Sequence, residues 1–122
     1  MVRWVQTKMT PEGRIKAKVK RRLDELPCLY QFRPVQNGMG APSLDILVCA
    51  GGWFIAIETK APGKKPTPRQ EETIRQINEA HGLVYVVDSD ETLEAAMNGI
   101  ASCCVLAEEI RSDGGAPLAT KN

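Results

Sequence analysis

The stretch SLDILVCAGGWFIAIETK, Ser43 to Lys60, predicts two apolar β-strands joined by a tight turn at Gly51-Gly52. A glycine pair supplies the positive φ angles that a two-residue hairpin turn requires. Counting outward from the turn places Cys49 opposite Phe54 and Leu47 opposite Ala56. The same count places Asp45 opposite Glu58 and Ser43 opposite Lys60, on the same face of the hairpin.

The other face of this hairpin is also apolar, because it carries Leu44, Ile46, Val48, Ile55 and Ile57. Asp45 and Glu58 are therefore expected at the edge of a core, where two opposed like charges repel each other. An unpaired buried carboxylate either takes up a proton or recruits a cation. Two explanations stay open from the residues alone: an ion pair of Asp45 or Glu58 with Lys60, and a divalent metal site.

A first helix is predicted from Thr10-Pro11, an N-cap followed by a proline at the first helical position, until Pro27 ends it. Its apolar stripe consists of Ile15, Val19, Leu23 and Leu26. Extending the stripe back by three residues reaches Glu12, so this acid points toward the core. An acid in the first turn also favours the helix dipole, and that simpler explanation of Glu12 remains open.

The remaining chain alternates strands and helices. Residues 28–35 predict a strand and 36–43 a glycine-rich loop; after the hairpin, 61–70 form a Pro/Lys loop. Thr67-Pro68 begins a second helix with the stripe Gln70, Ile74, Ile77 and His81, ended by Gly82. The apolar run 83–88 is typical of a strand in the middle of a sheet, parallel to the preceding strand through a right-handed crossover. Ser89 caps an acidic helix, and 102–111 are compatible with a last helix without requiring one.

These elements predict an α/β chain of the α+β kind, a central mixed sheet flanked by helices. With 122 residues, the chain has room for one domain. We assign that domain to residues 1–111 and expect 112–122 to be a flexible tail, because this segment has little apolar surface. The N-terminus lacks the apolar centre of a signal peptide and no run suits a membrane span, which predicts a cytoplasmic protein.

Charge and cysteine content restrict the function classes. Residues 1–22 contain eight Lys or Arg and one acid, a charge of +7, whereas the rest of the chain carries −6. This asymmetry points to a local basic face for phosphates, although a charge run on a helix is more often simply a solvated face. Cys28, Cys49, Cys103 and Cys104 lack CxxC spacing and a nearby histidine, which favours free buried thiols over zinc.

The order of GAPSLD (40–45), IETK (57–60) and a preceding helix with Glu12 resembles the PD-(D/E)XK nuclease superfamily. Within it, ETKAPGKKPTPRQ (58–70) is similar to the stand-alone VRR-NUC domains of bacteriophages, and the resemblance spans about residues 8–100. It implies a restriction-endonuclease-like αβββαβ core. The proline of the motif is Pro42, and Asp45 follows it after two further residues, so Asp45 is assigned by the hairpin register as much as by the motif.

Carried over by motif position, the resemblance implies that Asp45, Glu58 and Lys60 form the catalytic centre, with Glu12 and Gln70 beside it. Asp45 and Glu58 are the expected ligands of Mg²⁺ or Mn²⁺, with the main-chain carbonyl of Thr59 and with Glu12. Lys60 is expected to position the attacking water or to stabilise the transition state. Gln70 has a competing explanation, because Thr67-x-x-Gln70 is also a capping box.

The substrate implied by the resemblance is DNA, notably branched DNA and four-way junctions, cut by a homodimer that presents two equivalent sites. The expected phosphate contacts are the basic residues of the first helix and of the Pro/Lys loop: Lys16, Lys18, Lys20, Arg21, Arg22, Lys64, Lys65 and Arg69. Phosphate contacts do not read sequence, so structure-selective cleavage is expected. Two other classes remain open: a DNA-binding module with an inactive site, and a structural subunit that docks a basic partner.

Overall fold

In the computed structural model, the described residues, 9–36 and 40–112, form a four-stranded mixed sheet flanked by three helices. In chain order the elements are α1 (Pro11–Asp24), β1 (Leu29–Phe32), β2 (Ile46–Ala50), β3 (Trp53–Thr59), α2 (Pro68–Glu79), β4 (Leu83–Val87) and α3 (Asp90–Ser112). This order and the mixed sheet confirm the predicted α+β fold.

The hairpin register is the one that the glycine pair predicts. Strands β2 and β3 are antiparallel, with Ala50 opposite Trp53 and Leu47 opposite Ala56. Gly51 and Gly52 have φ angles of 60° and 87°, the left-handed values of the expected turn. Strand β1 pairs with β2 on the other side, and β4 runs parallel to β3. The meander and the parallel pairing of β4 with β3 are therefore both confirmed.

The main core lies on one face of the sheet, between the strands and helices α1 and α3. Ile15, Val19 and Leu23 of α1 are buried there, as the apolar stripe predicts. The sheet contributes Ile46, Val48, Ile55 and Ile57, and α3 contributes Leu93, Ala96, Met97 and Ile100. Helix α2 contacts β4 and has no fully buried residue. Because Gln70 of α2 reaches Glu58, whose side chain points away from this core, α2 covers the other face.

Two sequence-based expectations about the elements are wrong. Strand β4 is at the edge of the sheet and mostly half-buried, because β3 is its one partner strand among the described residues. His81 does not extend the stripe of α2; it takes the left-handed position after the helix, with φ 68°, and Gly82 donates back to the Ile77 carbonyl at 2.9 Å. Residues 102–111, for which the sequence allows a helix without requiring one, continue α3 without a break, because the buried face extends to Cys103 and Cys104.

The cysteines also differ from expectation. The sulfur atoms of Cys28 and Cys104 are in contact, which joins the segment before β1 to α3, and Cys49 is exposed. Cys103 is the buried free thiol that the sequence predicts. The expected tail falls almost entirely on 113–122, outside the described residues. Within the part of the chain that the structure describes, no helix has the length and apolarity needed to cross a membrane.

Candidate active site

Asp45 and Glu58 meet at the end of the hairpin farthest from the turn. Strand β2 begins one residue after Asp45, and the Asp45 amide donates to Glu58 Oε1 at 3.2 Å. Asp45 therefore extends the register of β2 against β3 by one residue, with a hydrogen bond from its backbone amide to the Glu58 side chain. This contact brings together the two carboxylates that the sequence predicts to face each other.

Glu58 is a buried acid, with only 2% of its surface exposed. Burial is the largest cause that raises its pKa, to about 7, and the negative charge of Asp45 raises it further. The hydrogen bond from the Asp45 amide and the nearby Lys60 lower the pKa without cancelling these effects. At neutral pH the site therefore lacks enough positive charge to hold Glu58 fully ionised.

Asp45 is held by the residue that follows Glu58. Its Oδ2 accepts a hydrogen bond from the Thr59 amide at 3.0 Å and another from Thr59 Oγ1 at 2.7 Å. Its Oδ1 faces two weaker partners, Gln36 Nε2 at 3.4 Å and Lys16 Nζ at 3.7 Å. One carboxylate oxygen is thus tightly fixed, whereas the other has only long contacts and is the better placed to bind a cation.

Lys60 lies beside this pair, with its side chain 14% exposed. Its Nζ is 4.0 Å from Glu58 Oε2, beyond hydrogen-bond reach and at the limit of an ion pair. Within the described residues Asp45 forms its ion pair with Lys16 and not with Lys60. The simple explanation of these charges was a close ion pair with Lys60. Among the described residues, the long contact between Lys60 and Glu58 is the one observation that supports it.

Gln70 serves both of the functions that the sequence leaves open. Its Oε1 accepts from the Thr67 amide at 2.9 Å, and Thr67 Oγ1 accepts from the Gln70 amide, which completes the capping box of α2. Its Nε2 donates to Glu58 Oε2 at 2.7 Å. The side-chain amide of Gln70, which is held in place by the capping box at the start of α2, therefore orients Glu58.

Glu12 is half-buried on α1, and its charge adds to the causes that raise the pKa of Glu58. Among residues 9–36 and 40–112 it makes no hydrogen bond or ion pair with a side chain. No three His, Cys, Asp or Glu side chains in these ranges are close enough to hold a metal together. The structure thus brings two acids together and keeps Glu12 near them.

The donor set at the site consists of oxygen atoms, which suits a hard divalent cation. Mg²⁺ in proteins is commonly held by one or two carboxylates and completes its shell with water. The Asp45 and Glu58 pair fits that requirement, because it offers two carboxylates and the raised pKa of Glu58 shows that the site lacks positive charge. Ligation by the Thr59 main-chain carbonyl and by Glu12 stays a prediction.

The basic residues predicted to contact DNA fall into two groups. Several residues of α1 already form ion pairs with acids. Lys18 Nζ is 3.0 Å from Asp90 Oδ1, Lys20 Nζ is 3.5 Å from Asp24 Oδ2, and Arg22 pairs with Glu94. A second group is exposed and has no ion pair within the described ranges: Arg21, Lys64, Lys65 and Arg69. Arg69 lines a cavity of about 280 Å³ together with Gln36 and Gln70.

Sequence reasoning missed the side chains that fix Asp45. The motif resemblance gives Thr59 a role as a metal ligand through its main-chain carbonyl, whereas its amide and hydroxyl groups contact Asp45. The hairpin register could have revealed this contact, because Thr59 directly follows the residue opposite Asp45. Lys16 is predicted to contact DNA, but it lies beside Asp45, and no sequence pattern indicates the contact between Gln36 and Asp45. Their positions depend on how α1 and the glycine-rich loop pack, which no local pattern contains.

Compared with known proteins, the chain matches no family model and no curated protein. Assignment of the site therefore depends on its own geometry and on the motif resemblance.

Proposed function

We propose that this protein is a divalent-metal-dependent deoxyribonuclease that hydrolyses phosphodiester bonds at the Asp45–Glu58 site. The observation that carries the proposal is the facing pair of the buried Glu58 and the partly buried Asp45, with Lys60 beside it. Two opposed acids at a core edge are destabilising by themselves, and Lys60 compensates Glu58 only from a distance. A bound cation offsets that repulsion and turns the arrangement into a reaction centre.

Mg²⁺ or Mn²⁺ bound there supplies charge stabilisation on the phosphate and lowers the pKa of a water. Asp45 and Glu58 act as the anionic ligands, and their geometry is set by Thr59 and Gln70. Lys60 donates hydrogen bonds, either to the attacking water or to the phosphate oxygen on which negative charge develops. Its partial burial restricts the ammonium group to the neighbourhood of Glu58.

Substrate binding is assigned to the cations near this centre that are free of ion pairs among the described residues. Lys64 and Lys65 lie in the loop after β3, and Arg69 lies in the first turn of α2 beside Gln70. Such side chains contact phosphates without reading bases, so cleavage depends on DNA structure rather than sequence. The proposed substrate is branched DNA. The proposed enzyme is a two-fold symmetric homodimer that acts in the cytoplasm.

The test is cleavage of labelled four-way junction, flap, linear duplex and single-stranded DNA with Mg²⁺, Mn²⁺ or EDTA. We expect metal-dependent cutting, strongest on branched DNA. Lys60→Ala should lower the rate by a factor of about one hundred or more, while Lys64→Ala retains most of it at saturating DNA. Absence of cutting in every metal, with DNA binding retained, would instead identify a DNA-binding module.

A further inference from the structure

Three exposed aromatic side chains lie on the same sheet face as the candidate active site. Tyr30 is 68% exposed, Phe32 is 50% exposed and Phe54 is 48% exposed. We call these three residues the aromatic face. The chain has two phenylalanines, and both are in this group, whereas the buried core of the described residues contains no aromatic side chain. Among the described aromatic residues, Tyr85 packs against the core, whereas these three side chains are exposed.

The strand register shows that the three rings and the acids share one face. Tyr30 lies opposite Cys49, which lies opposite Phe54 in the next strand. Phe32 lies opposite Leu47, two residues from Asp45. Because side chains alternate along a strand, Phe54 and Glu58 point to the same side, at a separation of roughly 13 Å.

Helix α2 covers this face near Glu58 and β4, whereas Tyr30 and Phe32 on β1 remain exposed. The core that α1 and α3 form lies on the opposite side, and α2 contacts β4. A cavity of about 680 Å³ runs beside Leu47 and Phe54, and it shares Pro42, Ser43 and Thr73 with the cavity that Arg69 and Gln70 line. The cavity beside Phe54 and the cavity beside Gln70 therefore adjoin at these three residues.

A second protein molecule fits this face less well than a nucleic acid strand does. A stable protein interface covers on the order of 800 Å² on each partner, a patch about 30 Å across. A patch centred on these rings would also cover Asp45 and Glu58 and would close the site to DNA. A single strand crosses the rings by stacking its bases, while its phosphates continue toward the cations near Arg69.

We propose that the aromatic face binds unpaired nucleotides of the DNA strand whose phosphodiester lies at the Asp45–Glu58 site. The inference depends on the proposed function for its substrate and defines that substrate further, as DNA with a single-stranded segment next to the point of cleavage. Base stacking on Tyr30, Phe32 and Phe54 tolerates any sequence, because every base presents a flat aromatic surface.

The test is fluorescence anisotropy in EDTA at fixed salt, comparing a labelled oligothymidylate with an abasic strand of equal length and charge. We expect the thymidylate to bind at least about fivefold more tightly, since stacking adds to phosphate contacts. Tyr30→Ala combined with Phe32→Ala should remove this preference. Tyr30→Phe should keep it, because the ring remains, and so should Leu106→Ala, which truncates a similarly exposed side chain on α3.

Equal affinity for the two strands, or no binding of either, would overturn the proposal. A preference that survives the double substitution would also overturn it. A change from dimer to monomer on the double substitution, measured by sedimentation, would assign the face to self-association instead. None of these readings requires cleavage, so failure of this inference and failure of the nuclease proposal are separate outcomes.

Discussion

Glu58 determines how the site responds to pH. Its pKa is raised to about 7, so the folded protein keeps the proton at pH values where the unfolded chain has lost it. The stabilisation from this group is complete below about pH 4.5 and is lost as pH rises through about 7. The loss is on the order of 3 kcal/mol, because the pKa rises from 4.5 to about 7 and each pKa unit corresponds to about 1.4 kcal/mol.

Glu58→Gln tests this directly, because the amide carries no charge at any pH. In EDTA, the difference in melting temperature between the variant and the wild type should become more positive from about pH 5 to about pH 8. Circular dichroism melts in matched buffers measure it. A difference that stays constant across this range would mean that Glu58 does not ionise with a raised pKa.

At the scale of elements, the turn between β2 and β3 controls the site, because its register places Asp45 opposite Glu58. Gly51 and Gly52 both have positive φ angles, but their surroundings differ. A Cβ at Gly51 would lie 2.3 Å from the Cys103 carbonyl oxygen of α3, whereas one at Gly52 would meet nothing within 4 Å. The turn is thus fitted against the backbone of a helix at one residue.

We therefore expect Gly51→Ala to destabilise the fold much more than Gly52→Ala. The second change adds only conformational strain of about 1 kcal/mol, whereas the first also forces the hairpin away from α3. Urea unfolding of the two variants measures the difference. Similar losses of stability would show that contact with α3 does not restrict the turn.

Most of the element order could be predicted because it depends on short-range signals. The Thr10 and Thr67 caps, the glycine pair and the two-residue alternation in the hairpin are local, and each of them is observed. The errors arise where tertiary packing decides. His81 takes a conformation that usually favours glycine, and β4 is an apolar strand at an edge.

The candidate site follows the same division. The facing of Asp45 and Glu58 was predictable from the turn, since register is a matter of counting. The partners of Asp45 were not, because Lys16 and Gln36 come from separate segments. Gln70 needed both its capping position and the three-dimensional path of α2 to be understood.

Across the whole molecule, the charge asymmetry of the sequence is partly neutralised by folding. The basic helix α1 packs beside the acidic start of α3, where Lys18 pairs with Asp90 and Arg22 with Glu94. Lys64 and Lys65 have no such partner among the described residues. The cations that remain available to DNA therefore include the two lysines of the loop next to the site, together with Arg69 at the start of α2 and Arg21 on α1.

Salt dependence of DNA binding should show this division. Lys64→Gln with Lys65→Gln should flatten the plot of log affinity against log salt by about 0.9 for each duplex phosphate that is no longer neutralised. Lys18→Gln should change the slope less, because Lys18 must leave Asp90 before it can bind a phosphate. A larger change for Lys18 would place the duplex along α1.

Calorimetric titration of the folded protein with Mn²⁺ at about pH 8 tests the central claim, that Asp45 and Glu58 form a divalent metal site, most directly. The wild type should bind Mn²⁺ and should melt at a higher temperature with it, because the ion binds the folded state. Asp45→Asn keeps the shape of the side chain and removes one of the two facing charges. It should stay folded in EDTA and show neither binding nor a rise in melting temperature. Absence of Mn²⁺ binding by the folded wild type, or equal binding by Asp45→Asn, would contradict the claim.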